Sequence, residues 1–239
     1  MAPLFWSITR KDKRFVVTVN PGAHKKNVSI PSAVFLRDML KTVKSLREAK
    51  YAIYNGKLRV DGIKRKSLHH GIGLMDVIEL EGIKEIYRLV PQNGTVLQPI
   101  IIDDAEKMKK LVQVKSKTTI KNGKTQIWFH DGRSLIDDTD IHVDDVCVLQ
   151  VPEQKILDII KLEEGVQGII TKGVNTGQLG LIKKIKDGTF ILPKRVDFEF
   201  DVRQIEIPAS LIMPVGKEKP IIQIRWFNGS RNSKRYEGN

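Results

Sequence analysis

The chain has 239 residues, 41% of them hydrophobic, and a formal net charge of +13 from 41 Lys+Arg against 28 Asp+Glu. That apolar fraction supports a packed core and excludes a disordered chain; the single cysteine, Cys147, excludes an internal disulfide or a cysteine-built metal centre. No apolar run reaches the ~18–20 residues of a membrane span, residues 1–10 lack the apolar core of a secretory signal, and so strong a positive field points to a polyanion, most often nucleic acid.

The charge is uneven. Residues 1–90 hold 18 basic and 8 acidic side chains, residues 91–162 hold 10 and 11, and residues 163–239 hold 13 and 9. A polyanion is therefore expected on the first third, with a second contact near the end.

Residues 1–31 read as an arm punctuated by Pro3, Pro21 and Pro31, with a short strand over 15–19. Phe5, Trp6 and Phe15 are expected to pin it, and Arg10, Lys11, Lys13, Arg14, Lys25 and Lys26 to charge it. Residues 32–86 read as two helices on a small sheet. In the first, Ser32 is the expected cap, and Leu36, Met39, Leu40 and Val43 fall at i, i+3, i+4 and i+7. Arg37, Lys41 and Lys44 lie on another face of it. The second opens on Ser45-Leu-Arg-Glu48, a capping box. It buries Leu46, Ala49 and Ile53, directs Arg47 and Lys50 elsewhere, and stops at Asn55-Gly56. A strand over 58–60 carries Arg59 just after Lys57, Asp61-Gly62 makes a tight turn into the basic run Lys64-Arg65-Lys66, and 76–80 is another strand.

Residues 87–162 read as a β-rich central unit. Asn93-Gly94, Asn122-Gly123 and Asp131-Gly132 are hairpin signals, with strands over 96–102, 125–129, 146–151 and 158–162, and one helix over 105–111 behind Asp103 or Asp104. Residues 163–215 read as a small barrel: a strand over 168–171, a stretch spaced by Gly173, Gly177 and Gly180, and a hairpin pairing 181–185 with 189–192. Residues 216–239 hold a strand over 221–226 and a polar tail. The fold class is α+β, mostly β.

Catalytic patterns are missing. Gly123-Lys124-Thr125 lacks the earlier glycine of a phosphate loop, since position 118 is Thr118. His69-His70-Gly71-Ile-Gly73 does not continue as a dinucleotide loop. The acidic stretch Asp137, Asp138, Asp140, Asp144, Asp145 has neither the glycine nor the closing Glu of a calcium loop and reads as solvated turns. Cys147 reads as a buried thiol, and His130-Asp131 as turn chemistry. No metal, cofactor or small-molecule substrate is expected.

Three sets of letters carry a resemblance. Leu36-Arg-Asp-x-Leu40, Ser45-x-Arg-Glu-Ala49, Asn55-Gly-Lys-Leu-Arg-Val-Asp-Gly62 and Met75-Asp-Val-Ile78 resemble the small RNA-binding domain first defined in ribosomal protein four of the bacterial small subunit. Gly168-Ile-Ile-Thr-Lys-Gly-x-x-x-Gly-x-x-Gly-Leu-Ile182 resembles the KOW element. With Ala2-Pro-x-x-Trp6, Pro21-Gly-x-His24, Gly73-Leu-Met-Asp-Val77, His130-Asp-Gly-Arg133 and Val143-x-Asp-x-Val146 in order, the chain is similar over residues 2–227 to the e-type protein four family of archaeal and eukaryotic small ribosomal subunits, and its length looks archaeal. The family's Lys/Arg-rich segment ahead of Ala-Pro is not expected, because Ala2 follows Met1. In place of the second arginine common in the RNA-binding domain stands Leu46.

The resemblance implies a non-enzymatic, cytoplasmic component of the small subunit, monomeric when free, with ribosomal RNA and neighbouring ribosomal proteins as partners. The expected RNA contacts are Arg37, Lys41, Lys44, Arg47, Lys50, Lys57, Arg59, Lys64, Arg65 and Lys66, then Lys25 and Lys26, and Lys172, Lys183 and Lys184 beside the glycines. Gly173, Gly177 and Gly180 are expected to bend the backbone and admit RNA. Rival readings are an RNA-modifying enzyme of the pseudouridine synthase kind and a transcription or translation factor.

Overall fold

The computed structural model describes residues 2–9, 15–92, 94–200, 203–217 and 219–224. Arg10, Lys11, Lys13, Arg14, Asn93, Trp226 and the polar tail lie outside these.

The front of the chain comprises β1 (Ile30–Pro31), α1 (Ser32–Val34) running into a π-helical turn (Phe35–Met39), α2 (Leu46–Tyr54), β2 (Leu58–Val60), β3 (Ile63–Lys64), β4 (Gly71–Ile72), β5 (Val77–Leu80), β6 (Ile86–Gln92) and β7 (Thr95–Ile102). The antiparallel order is β3-β2-β5-β6-β7, with β1 and β4 paired apart. This sheet therefore runs to Ile102, past the boundary expected at 86. Trp6, Phe35, Leu36, Ile53, Leu58 and Ile78 fill the core between helices and sheet.

Local chemistry explains the helices. Ser45 caps α2 by accepting from the Glu48 N–H, while the Glu48 carboxylate accepts the Lys44 N–H. Ala49 and Ile53 are buried, but Leu46, expected in that stripe, is exposed. Gly56 ends the helix at φ +73. Ser32 does not cap α1, because its hydroxyl donates to the His70 carbonyl across the β1–β4 ladder. Lys41 takes a left-handed φ of 54, so the first helix has already turned before Lys44.

The middle sheet, in order β10-β9-β8-β11-β12, is built from β8 (Lys109–Thr119), β9 (Thr125–Phe129), β10 (Ser134–Ile136), β11 (Val146–Gln150) and β12 (Lys155–Ile160). The helix expected over 105–111 is instead a 3₁₀ turn (Asp104–Glu106) leading into β8. Pairing of Lys109–Gln113 along β11 outweighs the short helical pattern. Asp145, expected in solvent, is buried, and its carboxylate accepts the His142 and Leu162 N–H groups. Cys147 is buried, and desolvation pushes its thiol up to about 12.

The last sheet, in order β16-β15-β14-β13-β17, contains β13 (Gln167–Ile170), β14 (Leu179–Lys186), β15 (Arg195–Phe200), β16 (Arg203–Pro208) and β17 (Ile212–Gly216). The strand expected over 189–192 is a loop. Thr189 and Leu192 close a turn on each other, Phe190 and Ile191 stand exposed at its tip, and β15 takes the place beside β14. Residues 15–19 are likewise not a strand, and Phe15 stays 84% exposed while Trp6 anchors the arm through its indole N–H to the Ser29 carbonyl.

Strand alternation joins the sheets. Val77 and Val148 face a core shared with Ile169, Phe198 and Met213, while Ile78 faces the helices and Cys147 and Leu149 face a third cluster.

Candidate nucleic-acid interface

Two populations of charge appear: one sealed between the first two sheets, the other open on the front surface. The sealed group centres on Lys110 of β8, which is 1% exposed. Its Nζ lies 2.7 Å from Asp61, 2.6 Å from Asp76 and 3.0 Å from Asp131. Arg133 adds contacts of 2.6 Å to Asp61 and 3.3 Å to Asp131, and His24 Nε2 sits 3.1 Å from both Asp76 oxygens. Backbone geometry aims these groups. Asp61 sits at φ 51 in the β2–β3 turn and accepts the Val77 N–H, and Asp76 accepts the Gly73 N–H. Gly73 lacks a Cβ because one would lie 2.4 Å from the His24 ring.

Burial alone would raise the Asp76 carboxyl, but His24 and Lys110 hold it well below the carboxylate range, and Lys110 with its neighbours likewise keeps Asp131 low. Every carboxylate of this cluster is countered by a cation, an arrangement suited to holding sheets together and ill suited to proton transfer. His130 is therefore more than turn chemistry. Its Nδ1 accepts the Gln113 N–H at 3.1 Å and its Nε2 lies 3.2 Å from the Leu74 carbonyl, which fixes the neutral ring. Burial lowers it to about 4. The folded value lies below the unfolded ~6.5, so the unfolded chain takes the proton first, and stability present above pH ~6.5 falls as pH drops towards the folded value. Urea unfolding at pH 7.5 and near pH 4.5 is expected to differ by on the order of 2 kcal/mol more for the wild type than for His130→Asn; an identical pH dependence in the variant would refute this.

The open group runs from the approach to α2 along its polar side to the β2–β3 turn. Lys41, Lys44, Arg47, Lys50, Lys57, Arg59, Lys64 and Lys66 are all exposed, and none has a carboxylate within ion-pair distance among the described residues. Arg59 pairs across the ladder with Lys64. Packing gathers part of the set: a Cβ on Gly56 would touch the Lys64 and Lys66 stems at 3.6 and 3.8 Å, and the Lys57 ammonium lies over the Tyr51 ring. Arg37 is turned onto Asp38 in a two-pronged pair of 2.9 and 2.7 Å, and Arg65 is half-buried. Lys25 and Lys26 are exposed at a 3₁₀ turn of the arm. On the last sheet, Lys172 and Lys184 are open, but Lys183 meets Glu199 at 2.8 Å. There Gly177 and Gly180 abut the backbones of Gln92 and Glu199, and Gly173 alone of the three faces open space. Sequence reasoning passed over Tyr51 and Tyr54, although Arg47, Tyr51 and Tyr54 fall at i, i+4 and i+7 on the polar side of α2.

The same architecture occurs in a ribosomal protein. The crystal structure of the 30S ribosomal protein S4e from Thermoplasma acidophilum matches with a TM-score of 0.69 and 32% identity, over 81% of this chain and 97% of that one. Family models described as "Ribosomal family S4e" and "RS4NT (NUC023) domain" match residues 83–156 and 1–27. Among relatives named small ribosomal subunit protein eS4, that of Ignicoccus hospitalis is 36% identical over 93% of this chain and 92% of its own length, and that of Desulfurococcus amylolyticus is 38% identical over 93% and 92%. The chain belongs to the Ribosomal family S4e, a family of structural ribosomal proteins and not of enzymes.

Proposed function

We propose that this chain is a structural component of the small ribosomal subunit that binds ribosomal RNA through the open cations around α2 and the β2–β3 turn, supporting assembly. One observation carries the reading: these cations lack carboxylate partners among the described residues, whereas several on the last sheet are paired, Lys186 with Asp197 and Glu206 and Arg195 with Glu206. An unpaired surface ammonium reaches a phosphate without first breaking an ion pair, and the release of condensed counterions then drives binding. Recognition would follow the shape of folded RNA, since the A-form major groove is too narrow for side chains to read. The glycine-spaced segment and Lys172, Lys183 and Lys184 form the second, weaker contact in this reading, and the cytoplasmic setting follows from the subunit itself.

The test is the salt dependence of binding to small-subunit ribosomal RNA. Replacing Lys41, Arg47 and Lys64 together by Gln is expected to reduce the slope of log affinity against log salt by about 2 to 3, at roughly 0.7–0.9 per phosphate contact. A variant with the wild-type slope and affinity would move the interface elsewhere.

A further inference from the structure

We propose that Tyr51 and Tyr54 form a stacking platform for unpaired nucleobases, so that the α2 surface takes single-stranded segments of RNA rather than phosphates alone. This rests on the RNA-binding reading above and adds a base-contacting element to it.

The tyrosines are 68% and 50% exposed, although the opposite face of α2 already supplies its packing through Ala49 and Ile53. They lie three residues apart, one turn of helix, and share a face with Arg47 and Lys50. Lys50 Nζ stands 5.5 Å from the Tyr54 centroid and Lys57 Nζ 5.8 Å from that of Tyr51. Glu48, the one acidic residue of α2, is occupied with the Lys44 N–H at the helix start.

Two flat, exposed rings interleaved with unpaired ammonium groups match a single strand, whose bases present π-faces and whose backbone presents phosphates. Each ring has two faces and one ammonium covers at most one of them. A lysine drawn onto a phosphate uncovers the other. A duplex keeps its base faces stacked inside and can use only the cations. Glu48 is the one carboxylate on this helix against Arg47 and Lys50, and that excess of positive charge argues for the polyanion over a basic protein partner.

The experiment compares binding of the full chain to poly(U), a largely unstacked single strand, with binding to the poly(A)·poly(U) duplex at fixed salt. Alanine is a better helix former than tyrosine, so a Tyr51→Ala, Tyr54→Ala variant retains α2, which a melting curve verifies. With two stacked bases lost, its affinity for poly(U) is expected to fall about thirtyfold or more, with duplex affinity and salt slope near the wild type. Tyr51→Phe with Tyr54→Phe should keep poly(U) binding, and the ring protons of both tyrosines should shift upfield when poly(U) is added to the wild type. Unchanged poly(U) affinity in the alanine variant overturns the platform, and so does an equal loss on both polymers. Retained RNA binding with loss from reconstituted small subunits also overturns it and assigns the face to a protein neighbour. A wild type that binds neither polymer nor ribosomal RNA sinks the RNA reading itself, a distinct failure.

Discussion

Lys110→Met is expected to lower unfolding stability by about 3–5 kcal/mol, the cost of stranding buried carboxylates. For a domain stable by ~5–15 kcal/mol this is a large share. Asp61, Asp76 and Asp131 come from turns of two different sheets, and Lys110 neutralises all three at 3.0 Å or less. Arg133 covers part of Asp61 and Asp131, but beside Asp76 only the His24 ring would remain. Burial opposes the charge of Lys110, yet the three carboxylates outweigh it and raise its pKa. A raised lysine contributes stability that is complete below the unfolded ~10.4 and is lost only as pH climbs through the folded value. The lowered Asp76 and Asp131 contribute stability that is complete above the unfolded ~3.9 and lost on acidification below it. The cluster therefore holds across the neutral range. Urea unfolding measures the effect, and adding Asp76→Asn and Asp131→Asn to Lys110→Met should recover much of the loss. A single-variant loss below ~1 kcal/mol, the worth of a surface pair, would show that the cluster does not fasten the sheets.

That cluster marks where sequence reading stops. Short-range signals carried far: the Ser45–Glu48 cap, the Gly56 stop and the Asp61-Gly62 turn all depend on neighbours within a few residues, and each appears in the folded chain. Resemblance placed Asp61, Asp76, Asp131 and Arg133 inside matching phrases without saying why those letters stand there. The answer is a set of contacts with Lys110 and Arg133 that reach over 21 to 72 residues of separation, and no periodicity encodes it. Lys110 itself reads as one lysine among several in a stretch patterned like a helix, and only pairing with β11 turns it inward. The open cations pose the opposite problem. Their numbers are visible in the chain, but whether each is free, like Lys64, or held, like Arg37 by Asp38, is decided by packing. Tyr51 and Tyr54 were hidden because a tyrosine in a helix ordinarily signals core, and exposure alone separates the two roles.

Gly177→Ala is expected to cost about 2–5 kcal/mol, combining left-handed strain of ~1–2 with overpacking of ~1–3. Gly177 has φ +86, and a Cβ there would lie 2.5 Å from Gln92 Cα and 2.8 Å from its nitrogen, both rigid backbone. This glycine is where the loop before β14 docks on the β6–β7 hairpin, beside the hydrogen bond from the Gly94 N–H to the Thr176 carbonyl. Gly173, at φ +102 with nothing within 4 Å, faces only the conformational part, so Gly173→Ala should cost about 1–2 kcal/mol. Thermal melts of the two variants, with RNA affinity measured on each, separate the roles that one glycine spacing combines. A docking glycine loses stability first, and its RNA affinity, corrected for the folded fraction, stays near the wild type. A glycine that admits RNA loses only the conformational part of its melt and loses RNA affinity beyond that when a larger side chain fills the gap. Equal melting losses at both positions would contradict the steric account, because the close backbone contact at Gly177 is what distinguishes them.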